Sequence, residues 1–286
     1  MVVKLSITPK EHDIGDFSVR RVLPYMKQRM VGPWVFFDHM GPAQFDAGKG
    51  INVRPHPHIN LATVTYLFEG EILHRDSLGS LQPIKPGDIN LMVAGSGITH
   101  SERERDEVRS QPHSLHGLQL WHALPEEDEE TDPAFYHYPD ADIPAVTVGN
   151  VPVRVMMGSA YGVTSPVKTF VDTLFVEAHL QTGKTLELPA ADELALYVVT
   201  GQVMIDELSI NAHTMTVFDG HAGARMTATA DTRIAIIGGT PLGERHINWN
   251  FVSSRKDRIT QARQDWKDGK FPKVPGDDIE FIPLPE

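Results

Sequence analysis

The sequence predicts an all-β fold made of two antiparallel barrels, with one short helix near the carboxyl end. Glycines and prolines, 23 and 21 of the 286 residues, punctuate short apolar runs, as turns between strands do. Long helical periodicity is absent until residues 257–266. Residues 66–73 resemble residues 197–204, and such a repeat indicates two units of similar structure.

The strands of the first unit follow from alternation and turn signals. Residues 61–68 alternate in polarity, break at Glu69-Gly70 and continue as a second strand, which is a hairpin pattern. Further turns are predicted at Asp76-Ser77-Leu78-Gly79 and Pro86-Gly87-Asp88, before a strand at residues 89–93. These short strands at turn-punctuated intervals predict a barrel or sandwich.

The second unit repeats the Tyr66–Gly70 pattern at Tyr197–Gly201. A stretch rich in proline and acidic residues, 125–142, is predicted to link the halves, which gives domains at residues 1–132 and 133–286. Residues 257–266 are predicted as the short helix, ended by Gly269 and Pro272.

Composition excludes several classes of site. The chain has no cysteine, so a metal must be bound by imidazole and carboxylate groups. The formal net charge of −12 disfavours direct nucleic-acid binding, and the acidic run 126–130 is interpreted as a solvated loop. No signal-type or membrane-spanning apolar run is present, which predicts a soluble, cytoplasmic protein without membrane contact.

Two short motifs indicate metal chemistry, His56-Pro57-His58 and His100-Ser101-Glu102. Residues i and i+2 of a strand point to the same face, so each motif aims two donor groups into one space. If the two strands face each other across a barrel, three imidazoles and one carboxylate converge. That set suits a single Fe(II), Mn, Ni, Cu or Zn ion with open positions for substrate or dioxygen.

These residues resemble the pirin family of the cupin superfamily. The resemblance is carried by Arg20–Leu23, Phe37–Pro42, Arg54–His58, Thr63–Tyr66, His74–Gly79, Ala94–Glu102, His113–Trp121 and Trp249–Ser254. It implies a jelly-roll-like bicupin with one mononuclear metal, usually Fe(II), in the amino-terminal barrel. It implies His56, His58, His100 and Glu102 as the ligands. Asn60 departs from the glycine common in pirins, and its side chain is expected near the pocket mouth.

The resemblance leaves two functions open. One is a quercetin 2,3-dioxygenase, in which the metal activates a flavonol, a small aromatic substrate, and Glu102 also accepts a proton. The other is a metal-binding regulator that acts on a protein partner as a transcriptional co-regulator or a modulator of a metabolic enzyme. A cupin-type isomerase or lyase for a sugar phosphate would need polar or cationic groups lining its pocket. The nearest candidates, Arg54 and Arg75, are too few to favour this function.

Other residues receive structural interpretations. In the second half, His56 and His58 map to Glu187 and Pro189, and His100 and Glu102 fall near Met226 and Ala228. Residues 222–234 contain neither His nor Glu, so the second barrel is predicted to hold no such metal. Structural roles are expected for His113, His116 and His122. Phe36, Phe37, Phe68 and Met92 could line a pocket or lie in the core, and core positions are favoured. His74 has no partner that the sequence identifies.

Overall fold

The computed structural model describes residues 2–14, 17–219 and 223–285, and strands dominate it. The first half contains β1 (Val2–Ile7), β2 (Lys10–Asp13), β3 (Ser18–Leu23), β4 (Trp34–Phe45), β5 (Val53–His58), β6 (Leu61–Glu69), β7 (Ile72–Asp76), β8 (Leu81–Ile84), β9 (Ile89–Val93), β10 (Ile98–Arg103), β11 (His113–Ala123) and β12 (Ala134–Tyr138). The second half contains β13 (Ala145–Val148), β14 (Val151–Met157), β15 (Ser159–Ala160), β16 (Val163–Thr164), β17 (Thr173–Leu180), β18 (Thr185–Glu187), β19 (Glu193–Thr200), β20 (Gln202–Ile205), β21 (Leu208–Asn211), β22 (Met215–Asp219), β23 (Arg225–Ala228), β24 (Thr232–Gly239), β25 (His246–Asn248) and β26 (Phe251–Ser253). Helices are α1 (Asp106–Arg109) and α2 (Lys256–Lys267), and 3₁₀ turns lie at Glu126–Asp128 and Asp140–Asp142.

The strands form two matching pairs of sheets. One pair has the orders β12-β9-β6-β11-β4-β3-β2 and β5-β10-β7-β8. The other has the orders β1-β22-β19-β24-β17-β14-β13 and β18-β23-β20-β21. The smaller sheets correspond strand for strand, with β5 matching β18 and β10 matching β23. The predicted all-β fold with two barrels and one carboxyl-terminal helix is therefore confirmed.

Two compact units are each assembled from three segments of the chain. One unit comprises residues 1–11, 20–37 and 141–241, and the other comprises residues 12–19, 38–140 and 242–286. The stretch 125–142, predicted as a link, contains β12, which pairs with β9 of the unit that contains residues 38–140. The predicted boundary between residues 132 and 133 stays a prediction.

The unit that contains residues 141–241 has an apolar interior. Its core includes Val151, Leu174, Leu196, Ile205 and Ile234, each less than 4% exposed. Indole Nε1 of Trp34 donates to the carbonyl oxygens of Leu174 and Gly238, both at 3.1 Å, so β4 begins inside this core.

The repeated pattern marks equivalent hairpins in the two units. Gly70 joins β6 to β7 with φ of 91°, and Gly201 joins β19 to β20 with φ of 80°. This left-handed conformation favours glycine, and a side chain at either residue would collide with a neighbouring backbone oxygen. The sequence similarity therefore reflects one turn geometry used twice.

The carboxyl-terminal helix α2 packs on the unit that contains residues 38–140. Ile259 and Ala262, one turn apart, are buried in a cluster with Ile59 and Phe251. The helix ends before Gly269, whose φ is 66° and whose N–H donates to the Trp266 carbonyl oxygen. The predicted helix is confirmed, and none of the helices among the described residues is long and apolar enough to cross a membrane.

The acidic run 126–130 is only partly the solvated loop that the sequence predicts. Glu126 and Glu127 are exposed, but Glu129 is 3% exposed. Its carboxylate accepts hydrogen bonds from the Ser254 N–H at 2.7 Å and the Ser253 hydroxyl at 2.9 Å, and lies 3.2 Å from Arg245 Nε. The prediction of a solvated loop is therefore wrong at Glu129, because these donors compensate its desolvation.

Replacing Glu129 with alanine is expected to lower the free energy of unfolding by about 3–5 kcal/mol, because Arg245 would stay buried without its counter-charge. Urea unfolding measures the change. Glu127→Ala, at an exposed position of the same run, is the matched control and should change stability by less than about 0.5 kcal/mol. Equal stabilities of the two variants would contradict a structural role for Glu129.

Candidate metal centre

Three buried histidines lie close together on the smaller sheet of the unit that contains residues 38–140. His56 and His58 lie two residues apart on β5, and His100 on β10 is the cross-strand partner of His56. The side chains are 6%, 1% and 1% exposed, respectively. One ring nitrogen from each lies within 4.8 Å of the others, close enough for a single ion to bind all three.

The relative position of the two strands that carry these histidines differs from the prediction. The two motifs were expected to face each other across a barrel, whereas β5 and β10 are hydrogen-bonded neighbours in one sheet. Directly opposite residues of neighbouring strands have side chains on the same face. The ring centroids of His56 and His100 are therefore only 4.3 Å apart.

Backbone carbonyl oxygens hold two of the rings by Nδ1. His56 Nδ1 donates to the Arg54 carbonyl oxygen at 2.9 Å, and His58 Nδ1 donates to the Asn250 carbonyl oxygen at 3.1 Å. Since a carbonyl oxygen only accepts, Nδ1 carries the proton and the Nε2 lone pair is left for a metal. Such outer hydrogen bonds orient histidine ligands in metal proteins.

The third ring, His100, supplies the test of whether a metal fits. Its Nε2 is buried and has no hydrogen-bond partner among the described residues, while its Nδ1 lies 3.5 Å from Nδ1 of His74. A buried nitrogen without a partner is costly unless something binds it. The three imidazoles therefore fit a divalent metal bound through Nε2 atoms.

Desolvation keeps these imidazoles neutral, which is the form that binds a metal. Burial lowers the pKa of His56 to about 4, against a smaller opposing effect of the Arg54 carbonyl. Burial and the neighbouring histidines hold the pKa of His58 and of His100 well below the ordinary value. At neutral pH the cluster is ready to bind a cation without first losing protons.

Glu102 lies on the same strand as His100 but outside the three-histidine group. A bulge separates the two residues in the β10–β5 ladder, and Glu102 pairs with His74 of β7. Its Oε1 accepts a hydrogen bond from Gln119 Nε2 at 3.3 Å. Burial raises the pKa of Glu102 to about 7, although the bond from Gln119 opposes the shift. Its role as a fourth ligand stays a prediction.

Aromatic rings surround the histidines. The Trp121 ring meets His58 edge-on at a centroid distance of 5.1 Å, and Phe135 stacks on His74 at 4.3 Å. Met92, predicted as core, is 1% exposed. Phe36 and Phe37 are also buried, but they belong to the other compact unit. Phe68 is half-buried against His116.

Two sequence interpretations change with the structure. Asn60 does not lie at a pocket mouth: it is fully buried, has φ of 57°, and its amide donates to the carbonyl oxygens of Gly95 and Glu129. Asparagine tolerates this left-handed backbone, which explains how it stands where glycine is expected. His74, for which the sequence identified no partner, contacts His100 and Asp76.

The remaining histidines that were given structural roles lie outside the group of three. His113 Nε2 is 2.9 Å from Glu104 Oε1, and His116 Nε2 is 2.8 Å from His39 Nε2. His122 is 1% exposed, and its burial lowers its pKa to about 4. No metal-type cluster other than His56, His58 and His100 occurs within residues 2–14, 17–219 and 223–285.

The second barrel carries apolar side chains at the equivalent positions. Leu186 of β18 pairs with Met226 of β23, as His56 pairs with His100. Leu188, Leu186 and Met226 are 4% exposed or less and stand in the places of His58, His56 and His100. The predicted mapping to Glu187 and Pro189 is off by one residue. Residue 222 of the stretch 222–234 lies outside the described residues.

Comparison with known proteins agrees with this architecture. The family model for pirin matches residues 16–122, and the model for the pirin C-terminal cupin domain matches residues 175–272. A pirin-like protein of Caulobacter vibrioides is 46% identical over 289 residues, with both chains covered completely. A crystal structure of quercetin 2,3-dioxygenase from Acinetobacter baumannii has a TM-score of 0.91 at 32% identity, covering 99% of this chain and 95% of that one. A second quercetin 2,3-dioxygenase structure from the same organism has a TM-score of 0.87 at 26% identity, covering 94% and 97%. This chain therefore belongs to the pirin family and has its two cupin domains.

Proposed function

We propose that this chain is a metal-dependent dioxygenase of the pirin type that acts on a flavonol such as quercetin. The observation that carries the proposal is the buried group of three imidazoles, in which one ring nitrogen from each lies within 4.8 Å of the others. The similarity to structures of quercetin 2,3-dioxygenase supports this choice of reaction.

His56, His58 and His100 would hold one divalent metal, which is Fe(II) on the resemblance to pirins, with Mn, Ni, Cu or Zn as alternatives for the same donors. When bound, the metal supplies a Lewis acid that lowers the pKa of a flavonol hydroxyl group. Glu102 is proposed as the fourth ligand, on the resemblance to pirins.

Glu102 is also proposed to accept the proton of the flavonol hydroxyl group. In the metal-free protein, burial raises the pKa of Glu102 to about 7, so this carboxylate binds a proton more tightly than an exposed one, which is the property a general base needs. Gln119 donates to Oε1, so Oε2 is the oxygen left to bind the metal or to take the proton.

Aromatic side chains near the histidines suit a flat aromatic substrate. Trp121 lies against His58 and Phe135 lies against His74, so an aromatic ring bound beside the histidines would meet ring faces and edges. In the overall reaction, a flavonol and dioxygen give the ring-opened ester and carbon monoxide.

Turnover by the purified protein tests this function. Protein loaded with Fe(II) and supplied with oxygen should bleach quercetin and consume dioxygen in equal amounts, while protein stripped with a chelator and left without metal should not. Carbon monoxide trapped by reduced myoglobin identifies the product. Bleaching at the same rate with and without protein-bound iron would overturn the dioxygenase proposal.

A further inference from the structure

A buried carboxylate lies two hydrogen bonds away from the candidate metal position. Asp76, at the end of β7, is fully buried, and its Oδ2 lies 2.9 Å from His74 Nε2. His74 Nδ1 in turn lies 3.5 Å from His100 Nδ1, a distance at the long end for a hydrogen bond. Asp76, His74 and His100 thus form a continuous chain that ends at the unpartnered Nε2 of His100.

The direction of the hydrogen bonds in this chain follows from Asp76. Its Oδ1 accepts from the Leu78 N–H at 2.9 Å and the Ser80 N–H at 3.1 Å, within the turn that follows β7. An ionised carboxylate only accepts, so the proton of the first link belongs to His74 Nε2. In a neutral ring His74 Nδ1 is then an acceptor, and His100 must donate from Nδ1.

We infer that Asp76 and His74 are positioning residues that fix His100 in the Nδ1–H tautomer and so keep its Nε2 lone pair available for the metal. His56 and His58 are fixed in the same tautomer by backbone carbonyl oxygens. In the part of the chain that the structure describes, His100 Nδ1 contacts no backbone carbonyl oxygen, and the Asp76–His74 pair takes that place. The inference rests on metal binding by the three histidines, which the proposed function also requires.

The substitution Asp76→Asn tests the direction of the hydrogen bonds from His100 through His74 to Asp76 with little change in side-chain shape. The asparagine oxygen is needed by the Leu78 and Ser80 N–H groups, so its amide N–H₂ faces His74 Nε2. That contact requires a lone pair on His74 Nε2, so the proton of the neutral His74 ring must be on its Nδ1. His100 Nδ1 must then accept, which puts the proton on Nε2, the atom that binds the metal, and so weakens metal binding.

The expected result is a 10- to 100-fold increase in the Kd of Zn²⁺ for Asp76→Asn, as is typical when an outer partner of a histidine ligand is lost. Competition with a chromophoric chelator measures the Kd on the full chain. Asp88→Asn is the matched control. Asp88 is also buried, and its carboxylate accepts hydrogen bonds from the backbone N–H of Lys85 at 3.0 Å and of Asp140 at 2.8 Å. Its Kd should stay within about threefold of the wild-type value.

Two further measurements separate positioning from a loss of folding. Nitrogen-15 NMR of the metal-free protein should report the Nδ1–H tautomer of His100 in the wild type and the Nε2–H tautomer in Asp76→Asn. His74→Phe keeps a ring to stack on Phe135 and leaves the Asp76 turn untouched, and it should weaken zinc binding to a similar degree. In the His74→Phe background, adding Asp76→Asn should change the Kd no further, because the effect passes through His74.

Equal Kd values for the wild type and Asp76→Asn, or an unchanged His100 tautomer, would overturn this inference and leave the metal centre intact. An equal loss of affinity in Asp76→Asn and Asp88→Asn would overturn it as well, because disturbance of any buried turn would then suffice. A wild-type protein that binds no zinc would instead overturn the metal centre itself, and the proposed function with it.

Discussion

Replacing His56 with leucine is expected to raise the Kd of Zn²⁺ about 10²- to 10³-fold and to abolish turnover of quercetin. The binding free energy of a structural zinc site is about 10–16 kcal/mol, which divided over four ligands is about 2.5–4 kcal/mol for each. Leucine is the informative choice because the second barrel holds Leu186 at the equivalent position, 1% exposed. Chelator competition measures the binding, and oxygen consumption measures the turnover.

The variant should fold without metal as well as the wild type does, since it exchanges a buried imidazole for an apolar side chain of similar size. Thermal unfolding of both metal-free proteins checks this. His179→Ala, at an exposed histidine of β17, is the control for losing an imidazole elsewhere in the chain. A His56→Leu protein that binds zinc as tightly as His179→Ala would show that the ion does not use this ring.

Replacing Glu102 with glutamine is expected to lower kcat for quercetin about 10²- to 10⁴-fold, the range that a positioned general base contributes. Glutamine keeps the shape and an oxygen to accept from Gln119 but cannot take the substrate proton. The Kd for zinc, measured on the same variant, separates the two proposed roles. A large increase assigns Glu102 as a ligand, and an unchanged Kd with lost turnover assigns it as the base alone.

Glu104→Gln is the matched control for this experiment. Glu104 is the next acidic residue along the chain, 8% exposed, and burial raises its pKa too, but its carboxylate pairs with His113. Its kcat should stay near the wild-type value. Equal kcat values for the Glu102 and Glu104 variants would contradict a catalytic role for Glu102.

The histidines of the centre could be predicted from sequence because strand periodicity is a local rule. His56 and His58 share one face of a strand, the same spacing in His100-Ser101-Glu102 pointed to His100, and the resemblance to pirins implied the same ligands. The pairing of β5 with β10 could not be predicted in the same way, since it depends on contacts between residues forty or more positions apart. The expected geometry was therefore across a barrel, whereas the observed one lies within a sheet.

The outer partners of the centre were missed for a related reason. His74 is an ordinary strand residue in the sequence, and only its register opposite Glu102 brings it against His100. The carbonyl oxygen that holds His58 belongs to Asn250, close to the carboxyl-terminal helix. A signal was nevertheless present, because the Asp76-Ser77-Leu78-Gly79 turn was recognised and its carboxylate could have been paired with His74 two residues earlier.

The one-residue error in the second barrel illustrates how sensitive strand register is. A slip of one position moves every side chain to the opposite face. The alignment from the Gly70 and Gly201 turns makes Glu187 the equivalent of His56. Glu187 is instead exposed and pairs with Arg225, and Leu186 faces the core. The prediction that this barrel lacks the ligand set does not depend on that slip, because Leu186, Leu188 and Met226 occupy the equivalent places.

The most direct test of the centre is an anomalous difference map of the protein crystallised with Zn²⁺ or Fe(II). We predict one strong peak per chain, about 2.0–2.1 Å from Nε2 of His56, His58 and His100. A map with no peak among these rings, or with the ion bound through Nδ1 atoms, would contradict the centre as described.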